Sequence, residues 1–407
     1  KLAREAPSDV AAKAYGGEVS TFGADSLIPS PFDPRLILRI APAVAKAAIE
    51  SGVARSPITD FVAYEERLTG FVFRSGFIMK PIFSQAKAAP KRVIYADGED
   101  ERVLRAAQIA IEEGFAIPIL IGRPSVIESR CVRHGLSIRP GKDIEIINPE
   151  DDPRYRDYVA TLIELTGRKG VTPEAARTLV RTNSTVIAAI AVMRGDADAM
   201  ITGLEGRFQS RLRYIRDIIG LRSDVDELSA MSLMITPMGN YFLADTHVKT
   251  DPTSEDLAEV AILCADHVRR FGIVPKIALL SHSDFGDSDA PSALKMRRAL
   301  ALIRERAPDL EVDGEMQGDT ALISAVRAKR LPTSSLQSDA NVLILPNLDA
   351  ANIAFQMIKV MADALPVGPI LIGTARPAHV LTSSVTARGV VNMTALAVVE
   401  AQSNEVK

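Results

Sequence analysis

From residue 91 onward, short apolar segments alternate with longer segments of helical periodicity, and this alternation constrains the fold most strongly. A helix follows Thr253, for example, and we expect Thr253 to cap it together with Asp256. Alternation of this kind predicts an α/β fold with largely parallel sheets and a ligand site near the strand carboxyl ends. The apolar segments have the lengths of buried strands and lie at residues 92–96, 117–121, 199–202, 231–236, 241–244, 276–280, 342–345 and 369–372.

The segment before this alternation, residues 1–85, is Pro-punctuated and mainly helical. We expect a helix to begin at Asp33-Pro34 and to end at Gly52. Residues 64–83 are predicted to form one further helix and a connector, and residues 86–90 a linker. The apolar residues that define the first helix recur at helical spacing, at Leu36, Ile40, Val44 and Ala47.

Composition excludes several classes of protein. A net charge of −3 over 407 residues leaves no polybasic stretch, so neither nucleic acid nor a membrane is an expected partner. Cys131 and Cys264 stand far apart with no CxxC pair, which is typical of a reduced, cytoplasmic protein. No apolar run approaches the ~18 residues of a membrane span, and no secretory signal is visible. Because Lys1 reads as the middle of a helix, we expect a longer parent protein.

The common nucleotide and metal motifs are absent from the sequence, with no G-x-G-x-x-G, no P-loop and no Cys/His cluster. His282, in Ser-His-Ser-Asp, invites a catalytic triad, but neighbours in one loop rarely reach the required geometry, and a polar cleft loop is the favoured interpretation. Asp196 and Asp198 resemble metal ligands, although a turn between a helix and a strand is the favoured interpretation.

Positive charge follows the apolar segment 199–202. Gly203 and Gly206 precede a run of arginines, and the planar guanidinium group suits phosphate. The alternative is a solvated helix face with ion pairs to Asp217, and the sequence leaves both interpretations open. The arginines are Arg207, Arg211, Arg213 and Arg216.

A second candidate site follows the apolar segment 342–345, where Asn347, Asp349 and Asn352 precede or begin a helix. Backbone N–H groups at such a helix start can hold a phosphate or a carbonyl oxygen. Simple capping by Asn and Asp is the alternative.

Residues 90–407 resemble phosphate acetyltransferases over nearly their whole length. Residues 1–80 resemble the C-terminal end of a bacterial malic enzyme, on segments 22–36 and 41–48. Together they resemble the layout of hybrid NADP-dependent malic enzymes. The segments that carry the acetyltransferase resemblance stand in the family's order, at residues 195–200, 244–245, 251–253, 278–281, 313–322, 341–346 and 368–370.

The resemblance implies a two-lobed phosphate acetyltransferase-like domain with mostly parallel sheets, preceded by a short helical segment. Lobe I would comprise residues 86–224 and 368–407, and lobe II residues 225–367; residues 1–85 would be the end of the malic enzyme domain plus the linker. It also implies a homo-oligomer, a dimer or higher. The parent would oxidatively decarboxylate malate to pyruvate and CO2 with NADP and Mg²⁺ or Mn²⁺. The metal-binding carboxylates, the general base and the cofactor-binding glycines of that reaction would lie in a missing N-terminal malic enzyme domain. None of them would lie in this chain.

Site residues are carried over from the family by position. Arg213 matches an arginine that helps bind coenzyme A phosphate, and Asn352 matches an asparagine of the Asp-Leu-Asn-x-Gly-Asn segment. That segment departs from the family, with Asn347 for Asp and Asp349 for Asn, while Arg207 stands where the family has a small polar residue. Two further binding positions, Gly368 and Ile370, lie in the last predicted strand.

Residues 381–392 depart most from the family, which reads Leu-Ser-Arg-Gly-Cys-Ser followed by Asp. Those catalytic positions hold Thr382, Ser383 and Gly389. In the family the Asp acts as base toward the coenzyme A thiol and the Arg stabilises charge on the acyl carbonyl; neither Gly nor Ser supplies these functions. Arg388, beside the base position, is a candidate for replacing some of the lost charge.

The resulting hypothesis is a regulatory, non-catalytic domain that binds acetyl-CoA as an effector of the malic enzyme. Its contacts would include Thr382, Ser383 and Arg388 besides the positions named above. Two alternatives remain: an active phosphate acetyltransferase, and an oligomerisation scaffold without a ligand.

Overall fold

The structure, a computed structural model, describes residues 35–72 and 75–404. Within these residues two β-sheets are flanked by helices, so the predicted α/β class with mostly parallel sheets is confirmed. All eight predicted apolar segments overlap strands. Three strands, β3, β8 and β11, were not predicted. The strands are β1 Lys91–Tyr95, β2 Ala116–Ile121, β3 Glu145–Ile147, β4 Ala199–Thr202, β5 Ser229–Thr236, β6 Gly239–Ala244, β7 Lys276–Leu280, β8 Glu311–Met316, β9 Val342–Ile344, β10 Leu365–Ile372 and β11 Ala378–Val380.

The helices lie between and around these strands. The last of them, α15, packs on β1, β4 and β10 and thereby touches both sheets. The helices are α1 Arg35–Glu50, α2 Phe61–Val72, α3 Ser75–Ala88, α4 Glu101–Glu113, α5 Pro124–Arg133, α6 Tyr155–Thr166, α7 Pro173–Thr182, α8 Ser184–Arg194, α9 Phe208–Ile218, α10 Ser254–Arg270, α11 Pro291–Arg306, α12 Gly318–Leu322, α13 Ser324–Arg330, α14 Leu348–Met361 and α15 Ala387–Asn404.

The first sheet is wholly parallel and has the order β11-β4-β1-β2-β3. The second has the order β10-β5-β6-β9-β7-β8 and is mixed. Its β6, β9, β7 and β8 are parallel neighbours, whereas β5 pairs antiparallel with both β6 and β10. A tight hairpin joins β5 to β6, where Thr236 pairs with Gly239, and such a short connection requires antiparallel strands.

The predicted cap of α10 is confirmed. Thr253 Oγ1 accepts from the Asp256 N–H at 3.1 Å, and the Thr253 N–H donates to the Asp256 carboxylate at 2.8 Å. This reciprocal pair satisfies two N–H groups that the first helical turn leaves without partners.

The helical segment at the start differs from the prediction in detail. The predicted helix start at Asp33-Pro34 lies outside the described residues. Residues 64–83 fall into two helices, α2 and α3, and the predicted linker at residues 86–90 is mostly the last turn of α3. The reason is burial, since Ala86 is fully buried. The Gln402 side chain of α15 also donates to backbone carbonyls at the end of α3. Helix α3 is therefore packed as part of the domain that follows it.

The chain passes between the two sheets at residues 219–228 and 373–377, and these crossings are hydrogen-bonded to each other. The Arg222 N–H donates to the Gly373 carbonyl at 2.9 Å and the Ala375 N–H to the Gly220 carbonyl at 3.1 Å. Strand β10 stays in the second sheet as far as Ile372. The lobe boundary predicted at residue 368 therefore falls inside a strand, and the crossing lies after it.

Candidate functional site

Loops at the carboxyl ends of β4 and β11 lie in direct contact. The Leu381 N–H donates to the Thr202 carbonyl at 2.7 Å. Gly203 has a φ of 97°, and a Cβ added there would lie 2.5 Å from the Leu381 carbonyl oxygen. Only glycine fits such a close approach of two backbones. The predicted site at the strand ends therefore has a defined geometry, in which loop 203–207 is held against loop 381–386.

Asp97, at the end of β1, supports loop 203–207 from below. Its carboxylate accepts from the N–H groups of Gly203 at 2.9 Å and Leu204 at 3.1 Å. Burial raises the pKa of Asp97, although these two hydrogen bonds act in the opposite direction. The N–H groups of Gly203 and Leu204 are thereby satisfied within the protein.

The degenerate catalytic positions lie at the end of β11 and in the first turn of α15. Thr382 Oγ1 lies 3.1 Å from Ser384 Oγ, and Ser383 is exposed. The Gly389 N–H donates to Thr386 Oγ1 at 3.1 Å, so Thr386 caps the helix. A Cβ on Gly389 would lie 2.7 Å from Val385 Cγ2. The space beside Gly389 is therefore filled by an apolar side chain.

Arg388 lies against α3. Its guanidinium carbon is 5.9 Å from the centre of the Phe83 ring. Burial lowers the pKa of Arg388, and Glu113 acts against this shift. The predicted role of Arg388 in holding the ligand is therefore not supported by its position, because the helix turns it toward Phe83.

The arginines of α9 have different environments. Arg207 is exposed at the helix start. Arg213 is exposed and its nitrogen lies 3.6 Å from the Asp217 carboxylate, which matches the solvated ion-pair interpretation for the free protein. Arg211 is only partly exposed and donates to Thr185 Oγ1 at 2.9 Å. Arg216 is exposed as well, but it pairs with the Glu227 carboxylate at 2.5 Å. Arg207 and Arg213 are thus the two arginines of this run that are most open to a ligand in solution.

The second candidate site, at the start of α14, is mainly structural. Asn347 caps the helix by accepting from the Ala350 N–H at 2.9 Å, which is the capping alternative. Asp349 is exposed, and the Asn352 amide donates to the Thr246 carbonyl at 3.4 Å. Of this group, Asp349 alone has a side chain fully open to solvent.

Two predicted ligand positions lie in β10, and one of them belongs to the core. Ile370 is fully buried. Gly368 has a φ of 129°, and a Cβ there would lie 3.1 Å from the Met231 carbonyl of β5. The prediction for the Ile370 side chain is therefore corrected, because that side chain faces protein packing. Gly368 is partly exposed, so a backbone contact from Gly368 to a ligand stays a prediction.

The acidic pair Asp196 and Asp198 and the loop at His282 have structural roles. Asp198 pairs with Arg92 at 2.7 Å, and Asp196 accepts from the Tyr158 hydroxyl at 3.0 Å. His282 contacts Ser288 at 3.2 Å, while Asp284 accepts from the Gln317 N–H, so these neighbours form no triad. Over residues 35–72 and 75–404, no group of three His, Cys, Asp or Glu side chains is arranged to hold a metal.

The two lobes also touch across the cleft. The Gln209 side chain donates to the His247 carbonyl at 3.1 Å, and the Phe208 and His247 rings lie 5.2 Å apart. The His247 ring also lies 6.0 Å from Phe355 of α14. Burial lowers the pKa of His247 to about 4, so the ring is neutral near pH 7.

None of the described helices is long and apolar enough to cross a bilayer.

Two α/β lobes, with the loops after β4 and β11 in contact, are the architecture of the phosphotransacylases. The family model for phosphate acetyl/butaryl transferase matches residues 77–398. A phosphate acetyltransferase of Clostridium acetobutylicum is 33% identical over 80% of this chain and 98% of its own length. The chain therefore belongs to the phosphate acetyl/butaryl transferase family. A crystal structure of a phosphotransacetylase from Streptococcus pyogenes matches with a TM-score of 0.74 at 28% identity, covering 82% of this chain and 99% of the other.

Relatives that match along nearly the whole chain are named malic enzymes. An NAD-dependent malic enzyme of Rhizobium meliloti strain 1021 is 62% identical over 98% of this chain and 52% of its own length. An NADP-dependent malic enzyme of Escherichia coli K12 is 51% identical over 99% of this chain and 53% of its own length. The chain spans about half the length of these relatives. The resemblance to the phosphotransacetylase-like part of a malic enzyme is thereby confirmed.

Proposed function

We propose that this chain is the regulatory, acetyl-CoA-binding and non-catalytic phosphotransacetylase-like domain of a malic enzyme. The observation that carries the proposal is the loop around Gly389. The base position has no side chain, and Val385 occupies the adjacent space. Loss of a base or an oxyanion group costs about 10²–10⁴-fold in rate, so losing both leaves little turnover.

The proposed binding features are the two loops in contact and the exposed arginines of α9. Loop 203–207 keeps its close contact with loop 381–386, and Thr382 and Ser383 stand at the rim. Arg207, the N-cap residue of α9, and Arg213, in its second turn, are both exposed. The helix dipole also favours anions near Arg207. We propose that these two arginines hold coenzyme A phosphates and that the acetyl end reaches the rim of the β11 loop.

Calorimetry with acetyl-CoA tests this binding directly. Arg213→Ala should weaken binding at least about tenfold, as expected when a charged phosphate contact is lost. Arg177→Ala on α7, which removes an exposed arginine remote from both loops, is the matched control and should bind like the wild type. Absence of heat with the wild-type chain, or no competition by coenzyme A, would contradict the proposal.

An active phosphate acetyltransferase is the second candidate, and family membership is the observation in its favour. A coupled assay of acetyl-phosphate with coenzyme A distinguishes the two. Turnover near the ordinary enzyme rate of about 10 s⁻¹ would establish acetyltransferase activity and contradict the hypothesis of a non-catalytic regulatory domain.

We also propose a homo-oligomer, a dimer or higher. Helix α14 exposes a row of large apolar side chains at helical spacing, and such a surface marks an interaction site. Val360→Glu should reduce the molecular mass measured by light scattering, and an unchanged mass would count against this surface. If the response of the longer protein to acetyl-CoA were unchanged in Arg213→Ala, the effector would bind outside this site, and the ligand-free scaffold would be favoured for this domain. The exposed residues are Ile353, Met357, Val360 and Met361.

For the longer protein we propose oxidative decarboxylation of malate to pyruvate and CO2, with NADP and Mg²⁺ or Mn²⁺, by the malic enzyme domain that partners this one. The relatives' names include both NAD and NADP. Rates measured with each nucleotide, with and without acetyl-CoA, decide the cofactor and the direction of regulation. A rate that acetyl-CoA leaves unchanged would contradict the regulatory role.

A further inference from the structure

Arg102, in the first turn of α4, is joined to both cleft loops. Its NH1 group donates to the Ser383 carbonyl at 2.7 Å and to the Val385 carbonyl at 3.0 Å. Its NH2 group donates to the Leu204 carbonyl at 3.4 Å. One guanidinium therefore contacts the loop after β11 and the loop after β4 together.

The Arg102 side chain is also held by Asp100, the residue that caps α4. Arg102 Nε donates to Asp100 Oδ1 at 3.0 Å, and NH2 donates to Oδ2 at 2.8 Å. Burial acts to raise the pKa of Asp100, but the hydrogen bonds from Arg102 outweigh it and hold that pKa below its usual value. The pair is largely shielded from water, with side-chain exposures of 28% for Arg102 and 13% for Asp100.

A guanidinium has five N–H donors, and all five are accounted for here. Two go to Asp100, two to the carbonyls of Ser383 and Val385, and one to Leu204. No donor is left for a ligand. Arg102 therefore differs from the family arginine missing at position 383, which acts on the reacting carbonyl.

We propose that Arg102 is a positioning residue that fixes the β11 loop against the β4 loop and so maintains the shape of the ligand cleft. The inference rests on the proposed function for the identity of the ligand, acetyl-CoA. The positioning itself concerns the free protein. Lysine cannot substitute, because an ammonium has three donors at one point, whereas this site uses five donors in a planar fork.

Hydrogen exchange on the full chain, without ligand, tests the positioning. In Arg102→Lys, the amides of Leu381 and Val385, which donate to Thr202 and Thr382, should exchange at least about tenfold faster, because charge-assisted bonds to the loop are lost. Strand β5 should exchange at its wild-type rate. Arg105→Lys is the matched control, since Arg105 also lies on α4 and pairs only with Glu101 in the described structure.

Asp100→Asn is a second variant, in case Arg102→Lys folds poorly, and it should loosen the same amides to a smaller degree. Acetyl-CoA affinity, measured on the same samples, should fall at least about tenfold in Arg102→Lys and stay at the wild-type value in Arg105→Lys. Wild-type exchange at the loop in both Arg102→Lys and Asp100→Asn would overturn the inference. A wild-type chain that binds no acetyl-CoA would instead defeat the proposed function, while the exchange result would still decide the role of Arg102.

Discussion

The two lobes meet in two different ways. At His247 they make a small contact, which is called the cleft contact here, whereas around Glu400 they share a buried ionic cluster. The cleft contact consists of Phe208 and Gln209 of α9 against His247, with one side-chain hydrogen bond from an exposed glutamine. The junction cluster joins His379 and Glu400 of the first lobe to His267 and Arg270 of α10. The contrast predicts that the cluster contributes more to holding the two lobes together than the contact at His247 does.

Glu400 is the centre of the junction cluster. Its carboxylate lies 3.4 Å from a nitrogen of His267, 3.4 Å from His379 and 3.5 Å from Arg270. His379 Nδ1 accepts from the Leu371 N–H at 3.3 Å, so its proton is carried on Nε2, the nitrogen 3.4 Å from the Glu400 carboxylate. Burial acts to raise the pKa of Glu400, but the two histidines outweigh it and keep the carboxyl ionised.

Glu400→Gln should have the largest effect, because it leaves Arg270 beside a buried site without its counter-charge. We expect the free energy of unfolding to fall by about 3 kcal/mol, measured by urea denaturation. Asp266→Asn on α10 removes an exposed carboxylate paired with Arg269 and should change stability little. Equal losses in the two variants would remove the distinction between the junction cluster and an ordinary surface pair.

The sequence predicted the strands well because their signal is local. All eight apolar segments became strands, and the Thr253 cap was found from residues three positions apart. The strands that were missed are short or polar: β3 and β11 have three residues each, and β8 reads Glu-Val-Asp-Gly-Glu-Met. Such segments give no periodic pattern to recognise.

The candidate site was predicted less completely, for a physical reason. Arg102 acts on Ser383, which lies 281 positions further along the chain, and no spacing rule connects such residues. Ile370 was assigned to the ligand from its position in a family motif, yet a buried strand turns it into the core. Arg388 was assigned from its place beside Gly389, but helical geometry separates neighbours by about 100°.

His247→Gln probes the cleft contact and should have a smaller effect than Glu400→Gln. The variant loses the ring contacts with Phe208 and Phe355, and aromatic contacts of this kind contribute about 1 kcal/mol. Urea denaturation at pH 7 measures the loss. A loss as large as that of Glu400→Gln would show that the cleft contact also holds the lobes together.

The pH dependence of stability separates the same two regions. The pKa of His247 is about 4 in the folded chain and near 6.5 when unfolded. Below pH 6.5 the unfolded chain therefore binds the proton more readily, and stability falls as the pH decreases from 6.5 toward 4. Burial lowers the pKa of His267 as well, so the junction contributes in the same direction.

Denaturation midpoints at pH 7.0, 6.0 and 5.0 measure this slope. His247→Gln and His267→Gln should each flatten it, whereas His282→Gln, which alters an exposed histidine, should leave it unchanged. A slope in His247→Gln equal to that of the wild type would mean that the pKa of His247 is not lowered in the folded protein.

Gly389→Asp should have the smallest effect on function, although it places a carboxylate at the position predicted to hold the family's base. A side chain at position 389 meets Val385 Cγ2 at 2.7 Å, so Val385 must rotate, at a cost of about 1 kcal/mol or more. The arginine that would stabilise the acyl carbonyl is still missing at Ser383. We therefore expect no measurable acetyl transfer from this single change in the coupled assay.

A triple variant supplies all three missing features. Ser383→Arg adds the positive charge, Val385→Ala makes space beside position 389, and Gly389→Asp adds the carboxylate base. Transfer that appears only in this triple variant would show that the loop was repacked around glycine as a unit. Transfer from Gly389→Asp alone would mean that one missing carboxylate is all that separates the chain from an enzyme. Because none of the three positions belongs to the junction cluster, urea denaturation of the triple variant should stay far closer to the wild type than that of Glu400→Gln.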